Sequence, residues 1–310
     1  MHTVKPPRAV FVDATPTLAD AMKTRMLPGD MPIQLSEQPD VQPAMLPGLL
    51  GDAPIMLIDH SRFPTDVAKQ CPSLKHIVFL GVGAASYMNI AELAAMGITV
   101  HLIRGYGDTS VAECAFSLMW AGAKGLASMD RDMRQGRWSR TEGIELKGKC
   151  VGLIGFGGIA AEMARLCLGC GMKVTAWNRS PKTYDGVVFA PLDDVLAASD
   201  VVSLHLLLSD ETAGILSREK IQRMRPGALL INTARGALVD EAALIEALQS
   251  GRIRHAGFDV YAVEPLPQDH PLLALPNVTL SAHSAFRTPE ATANLVNAAL
   301  AHCRRLAGQA

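Results

Sequence analysis

The 310-residue sequence predicts an α/β protein made of two doubly wound parallel-sheet units. Three observations predict it. Short β-branched or aliphatic runs alternate with amphipathic helical stretches along the chain. The runs lack a clean two-residue alternation, as in Val-Gly-Leu-Ile at 151–154 and Val-Val-Ser-Leu at 201–204, the pattern of parallel strands covered on both faces. The composition, 49% hydrophobic with 26 glycines but only 5% aromatic residues, suits layers of Val, Ile, Leu and Ala. At roughly 100–200 residues per domain, the length accommodates two.

The elements follow in order. Strands are expected at 9–12, 32–35, 55–58, 76–80 and 98–102, with helical stretches around 17–26, 65–70 and 90–96. A long helix begins at Ser110-Val-Ala-Glu113, where Ser110 reads as the N-cap and Glu113 completes a capping box. After Leu146-Lys-Gly-Lys the alternation restarts, with strands at 151–154, 173–177, 201–204, 228–232, 255–258 and 278–280. A helix at 240–249 has Asp240 as its cap and Gly251 as its terminator.

Charge and length exclude several function classes. Lys+Arg 29 against Asp+Glu 30 gives a net charge of −1, so no polybasic field is available for nucleic acid or an anionic membrane. The longest uncharged stretches, 77–91 and 271–286, fall short of the ~20 residues of a spanning helix. The first seven residues hold no apolar signal core, so the expected location is cytoplasmic. Six cysteines are scattered rather than framed. Cys167 and Cys170 form a C-x-x-C inside a helix whose apolar face includes Met163, Leu166 and Cys170. Buried packing is the leading reading and redox or metal chemistry the other; with no second Cys/His pair at metal spacing, no metal site is expected.

The strongest local motif is Val151-Gly-Leu-Ile-Gly155-Phe-Gly157-Gly158-Ile159-Ala160, ending one strand and opening a helix. That context is what a dinucleotide fingerprint requires. Gly155 makes the tight turn, Gly157 lets a pyrophosphate approach the backbone, and Ala160 permits close helix–sheet packing. The pyrophosphate would lie over the helix N-terminus, at Gly157, Gly158 and Ile159. The next strand ends at Asn178-Arg179-Ser180, where an NAD site usually places a carboxylate for the ribose 2′-hydroxyl. A guanidinium flanked by amide and hydroxyl groups can hold a 2′-phosphate instead, so NADP(H) is preferred over NAD(H); the alternative is a solvated surface arginine.

Three further turns carry ionisable groups where parallel strands end: Asn232-Thr-Ala234-Arg235-Gly236, Asp259-Val-Tyr-Ala-Val-Glu264-Pro265 and Ser281-Ala-His283-Ser-Ala285. Open α/β sheets bind ligands at these ends, so Arg235, Glu264 and His283 are candidates to converge beside a nicotinamide. With Gly81-Val-Gly83, Ser110-Val-Ala-Glu113 and Gly136-Arg-Trp138, these motifs make the sequence resemble the D-isomer-specific 2-hydroxyacid dehydrogenases from about Gly81 to His283. Within that family the glyoxylate/hydroxypyruvate reductase type is the first candidate, with the subfamily left open.

The resemblance implies a reaction and roles. NADPH would reduce small 2-keto acids to D-2-hydroxy acids, with His283 as proton donor to the keto oxygen. Glu264 would stabilise the charged imidazole. Arg235 would hold the substrate carboxylate and polarise the keto group. The amides of Val82 and Gly83 would also bind that carboxylate, and Asp259 would fix the nicotinamide face by accepting from its carboxamide. Thr212 and Ala234 would line the cofactor. The resemblance further implies a Rossmann cofactor domain, 104–285, inserted into a flavodoxin-like substrate domain, 1–103 and 286–310, with closure between them. It implies a homodimer through the segment after Ser110, in which Trp138 either approaches the partner or packs internally.

The sequence also departs from the family. Leu207 stands where proline is usual, and Arg104, Tyr106, Phe286 and Arg287 have no family role, leaving interdomain packing and substrate selection open for them. The competing functions are an NAD-linked dehydrogenase of another small acid and a non-catalytic nucleotide-sensing, corepressor-like protein.

Overall fold

The computed structural model describes residues 8–38 and 41–309. The N-terminal segment read for a signal core lies outside the described residues. All strand pairings are parallel, in two sheets.

The chain divides into two units, residues 1–107 with 288–310, and residues 108–287. These divisions fall slightly C-terminal to the expected 103/104 and 285/286, because a long helix starts at Asp108 and the last one is capped by Thr288.

The first unit runs β1 Ala9–Phe11, α1 Pro16–Arg25, β2 Ile33–Leu35, α2 Leu46–Leu50, β3 Ile55–Ile58, α3 Thr65–Ala68, β4 His76–Phe79, α4 Ile90–Ala95 and β5 Thr99–Leu102. Its strand order, β2-β1-β3-β4-β5, is the flavodoxin-like doubly wound order. Apolar side chains pack on both faces of this sheet. One cluster holds Val10, Met56, Ile77 and Leu93, and the other Phe11, Leu57, Val78 and Leu300. Burial on both faces explains why these strands read as continuous apolar runs.

The second unit comprises α5 Asp108–Lys124, α6 Leu126–Arg134, β6 Cys150–Ile154, α7 Gly158–Gly169, β7 Lys173–Trp177, β8 Val187–Phe189, α8 Leu192–Ala198, β9 Val201–Leu204, α9 Arg218–Arg223, β10 Ala228–Asn232, α10 Glu241–Gln249, β11 Ile253–Phe258 and β12 Val278–Leu280. The order β12-β11-β10-β9-β6-β7-β8 reverses direction between β6 and β9, the switch point at which open α/β sheets bind ligands. The chain ends in α11 Pro289–Leu306, within the first unit.

Capping chemistry sets several helix starts. Asp240 accepts from Ala243 N at 3.0 Å, and Thr288 accepts from Ala291 N at 3.1 Å with Pro289 in the first turn. Ser110, expected as an N-cap, lies inside α5, which begins two residues earlier. It is buried, and its hydroxyl donates to Ala285 O at 2.7 Å, tying the helix to the segment after β12. Glu113 is exposed, so the predicted capping box does not form. In the C-x-x-C, Cys167 is buried while Cys170 is exposed at the C-cap of α7. The helix turns Cys167, not Cys170, to the core. Burial raises the Cys167 thiol to about 12, which makes it a packing residue rather than a nucleophile. Strand β8, short and partly exposed, was not anticipated from its pattern. No described helix is long and apolar enough to cross a membrane.

Candidate active site

The glycine loop follows β6 at the switch point. Gly155 adopts φ +87°, and a Cβ there would lie 2.7 Å from both His205 O and Leu206 Cδ2. Only glycine fits this turn, because it is left-handed and pressed against the chain leaving β9. Gly157 is the N-cap of α7 and is exposed; among the described residues nothing lies within 4 Å of a Cβ built on it. Gly158 is also exposed, Ile159 is half-buried and Ala160 is buried against the sheet. An open, glycine-lined helix N-terminus is a cradle of the kind a pyrophosphate needs. The residues present therefore fit a dinucleotide.

The turn after β7 is tied to this loop. Asn178 Oδ1 accepts from Phe156 N at 3.1 Å, while its Nδ2 donates to Ser180 O at 2.8 Å and Ser180 Oγ at 3.1 Å. Lys182 Nζ donates to Phe156 O at 2.7 Å, a contact the sequence did not single out. Arg179 is 81% exposed and pairs with Glu211. Asn178 and Ser180 thus brace one another and the loop, leaving Arg179 at the surface. Thr212 accepts from Ser209 N at 2.8 Å and donates to Leu207 O at 2.7 Å, folding its own turn.

The three ionisable turns are organised at the ends of β10, β11 and β12. Asn232, fully buried at the end of β10, braces the first: its Oδ1 accepts from Ala234 N at 3.0 Å and its Nδ2 donates to Arg235 O at 2.9 Å. Arg235 is half-buried, with Nη1 donating to Ala234 O at 2.6 Å. A Cβ at Gly236 would overlap the backbone of Tyr261 and Ala262, so this turn packs main chain to main chain on the loop that carries Glu264.

Glu264 uses both carboxylate oxygens. Oε1 accepts from Tyr261 N at 2.9 Å, and Oε2 lies 2.6 Å from His283 Nδ1. The structure thus brings Glu264 and His283 into contact. His283 has φ +48°, the one left-handed non-glycine among the described residues. Its amide donates to Asp259 O at 2.7 Å, which holds that conformation. The ring is 38% exposed at the side chain and stands edge-on to Phe286, with centroids 6.2 Å apart. With Nδ1 taken by Glu264, Nε2 makes no hydrogen bond among the described residues.

Asp259 is fully buried and acts from beneath. Its carboxylate accepts from Ser281 Oγ at 2.6 Å, Ser284 N at 2.9 Å and Ala285 N at 2.8 Å. These bonds shape the turn that presents His283. Tyr261 completes the brace by donating to Ser281 O at 2.7 Å; burial and the nearby Asp259 and Glu264 raise its hydroxyl to about 12. Asn232, Tyr261 and Ser281 escaped sequence reasoning, although each stands inside a motif already marked.

Val82 and Gly83 belong to the first unit, where Gly83 precedes a 3-10 turn at Ala84–Ser86. In that unit Arg104 is exposed and Tyr106 packs on the α11-side core. Trp138 is 75% exposed, so internal packing is not its role.

Fold and site together define a nicotinamide-dependent oxidoreductase. Residues 116–285 match the family described as D-isomer specific 2-hydroxyacid dehydrogenase, NAD binding domain. The chain is 38% identical over 237 residues to a hydroxypyruvate reductase of Thermotoga maritima, covering 74% of this chain and 77% of that one. It is 36% identical over 247 residues to a D-3-phosphoglycerate dehydrogenase of Archaeoglobus fulgidus, covering 78% of this chain but 47%, about half, of the longer relative. Among solved structures it resembles a glyoxylate reductase from Paecilomyes thermophila, with TM-score 0.88, 26% identity and coverage of 98% and 96%. The chain belongs to the D-isomer specific 2-hydroxyacid dehydrogenase family, whose substrates are small 2-hydroxy and 2-keto acids.

Proposed function

We propose that this protein is a cytoplasmic, NADPH-preferring reductase of small 2-keto acids, glyoxylate and hydroxypyruvate first. The observation that carries the reading is the 2.6 Å contact between Glu264 and His283 Nδ1, which leaves Nε2 free at the end of the sheet. Relatives named hydroxypyruvate reductase and glyoxylate reductase support the substrate class.

When bound, the dinucleotide supplies the hydride. The open cradle at Gly157, with Gly158 and Ile159, would hold its pyrophosphate. Asn178 in place of a carboxylate, with Arg179, Ser180 and Lys182 nearby, supports a 2′-phosphate over a bare ribose. Thr212 and Ala234 line the same end of the sheet, and Asp259 would act mainly by shaping the turn above it.

As charge grows on the keto oxygen, the imidazolium form of His283, which Glu264 stabilises, delivers its Nε2 proton and is left as neutral imidazole. Arg235 holds the carboxylate and polarises the carbonyl through its permanently charged, planar fork. The amides of Val82 and Gly83 are proposed as further carboxylate donors. The exposed Leu126, Met133 and Trp138 on and after α6 support a homodimer through that segment.

Two measurements test this. A panel of 2-keto acids followed by NADPH absorbance should give the highest kcat/KM with glyoxylate or hydroxypyruvate, at least about tenfold above NADH with the same acid. An NADH preference overturns the cofactor assignment; tight NADPH binding without turnover of any keto acid favours the nucleotide-sensing alternative.

A further inference from the structure

We propose that Asp108 is a built-in electrostatic competitor for the cofactor pyrophosphate, so that its charge limits how tightly the dinucleotide is held. The inference rests on the reading of loop 155–159 as the pyrophosphate seat. Asp108 opens α5 and Gly158 opens α7, two helices that pack on each other. A Cβ at Gly158 would overlap the Asp108 carboxylate. The carboxylate therefore rests against the α-carbon of Gly158, and the absence of a side chain there is what admits it.

The other buried or capping aspartates show what a structural carboxylate looks like in this chain. Asp13 accepts from the amides of Asp59, His60 and Ser61, Asp240 from Ala243 N, and Asp259 from Ser284 N and Ala285 N. Asp108 is half-buried, yet no hydrogen bond or ion pair to its side chain occurs among the described residues. Burial and the charge of Glu162, which lies on α7, both make its ionised form more costly, raising its pKa. It is an anion placed beside a helix N-terminus without the bonds that would make it a cap.

That placement bears on the cofactor. The free N–H groups at the start of α7 attract phosphate, and a fixed negative charge against Gly158 subtracts from that attraction. A diphosphate entering the cradle meets this like charge at close range, across exposed glycines where added salt can screen it.

The test is NADPH titration of the full chain by fluorescence, comparing wild type with Asp108→Asn, which keeps shape and removes charge. The substitution should tighten NADPH binding by at least about fivefold at low ionic strength, and the gain should shrink as salt screens the repulsion. Asp108→Ser provides a second variant if the asparagine disturbs folding and should show the same direction. Unchanged or weakened binding at low salt in a folded variant overturns the proposal. Gly157→Ala distinguishes the levels: if it weakens NADPH while Asp108→Asn has no effect, only the Asp108 role fails. If Gly157→Ala leaves NADPH binding intact, the pyrophosphate seat is wrong and the Asp108 proposal falls with it.

Discussion

Gly155 and Gly157 stand two residues apart in one loop, and replacing each with alanine should have opposite consequences. At Gly155 the added Cβ would lie 2.7 Å from His205 O and from Leu206 Cδ2, on a backbone with φ +87°. Left-handed strain costs about 1–2 kcal/mol, and overpacking adds about 1–3 kcal/mol. The Gly155→Ala loss is therefore about 2–5 kcal/mol. For a unit of this size, each kcal/mol moves Tm by about 2–4 °C, so melting should fall by at least about 4 °C. At Gly157 the backbone is extended, φ −97° and ψ −163°, and the Cβ would enter open space. Gly157→Ala should leave Tm unchanged or raise it slightly, since alanine narrows the unfolded ensemble by about 0.4–1 kcal/mol. If the pyrophosphate occupies that space, however, the same methyl costs about 1–3 kcal/mol of binding, roughly a five- to 150-fold rise in NADPH Kd. Thermal melts and NADPH fluorescence titrations on both variants decide the matter. Wild-type Kd in Gly157→Ala would refute the assignment of the cradle, and wild-type Tm in Gly155→Ala would refute the packing argument.

Other predictions concern the turns of the candidate site and a buried histidine. His283→Ala should lower kcat by about 10²–10⁴-fold with NADPH affinity nearly unchanged, read by steady-state kinetics beside a binding titration; undiminished turnover would remove it as the proton donor. Gly236→Ala should damage activity and stability together, because its methyl would overlap the Tyr261–Ala262 backbone and push the Arg235 turn off the Glu264 loop; a fully active variant would contradict that packing. His255, on β11, is 5% exposed with Nε2 2.8 Å from Thr279 Oγ1, and burial lowers its pKa to about 4, with Arg254 and Arg131 contributing. The folded state thus favours neutral imidazole, so stability is full above the unfolded value near 6.5 and is lost as pH falls from there toward about 4. At roughly 1.4 kcal/mol per unit, the loss comes to about 3–4 kcal/mol. Urea unfolding at several pH values should show a shallower decline in His255→Gln, and parallel curves would discount this histidine.

Local pattern was enough to read the two parallel sheets, the glycine loop and the link between Glu264 and His283. Each depends on short-range pattern: aliphatic runs for strands buried on both faces, glycines where the chain turns under a helix, and polar residues just beyond strand ends. Ser110 shows where such reasoning stopped. Ser-x-x-Glu is a valid local cap, but α5 begins at Asp108 and the Ser110 hydroxyl is spent on Ala285, 175 residues away. The same holds for Cys170, since a C-x-x-C does not reveal which cysteine a helix turns inward.

Tertiary structure alone decided what lies under the site. Asp259 looks from the sequence like a group that faces a ligand, and the fold buries it to shape the turn carrying His283. Tyr261 braces a neighbouring turn through Ser281, 20 residues on, whereas Asn232 folds its own turn through Ala234 and Arg235. Asp108 against Gly158 is the clearest case, because the contact joins the starts of two helices far apart in sequence. Local pattern fixes which backbone a segment adopts, whereas hydrogen bonds and close contacts between distant segments form only once the sheet has set their register. That is why Arg235, Glu264 and His283 were legible in the chain as candidates and most of their supports were not.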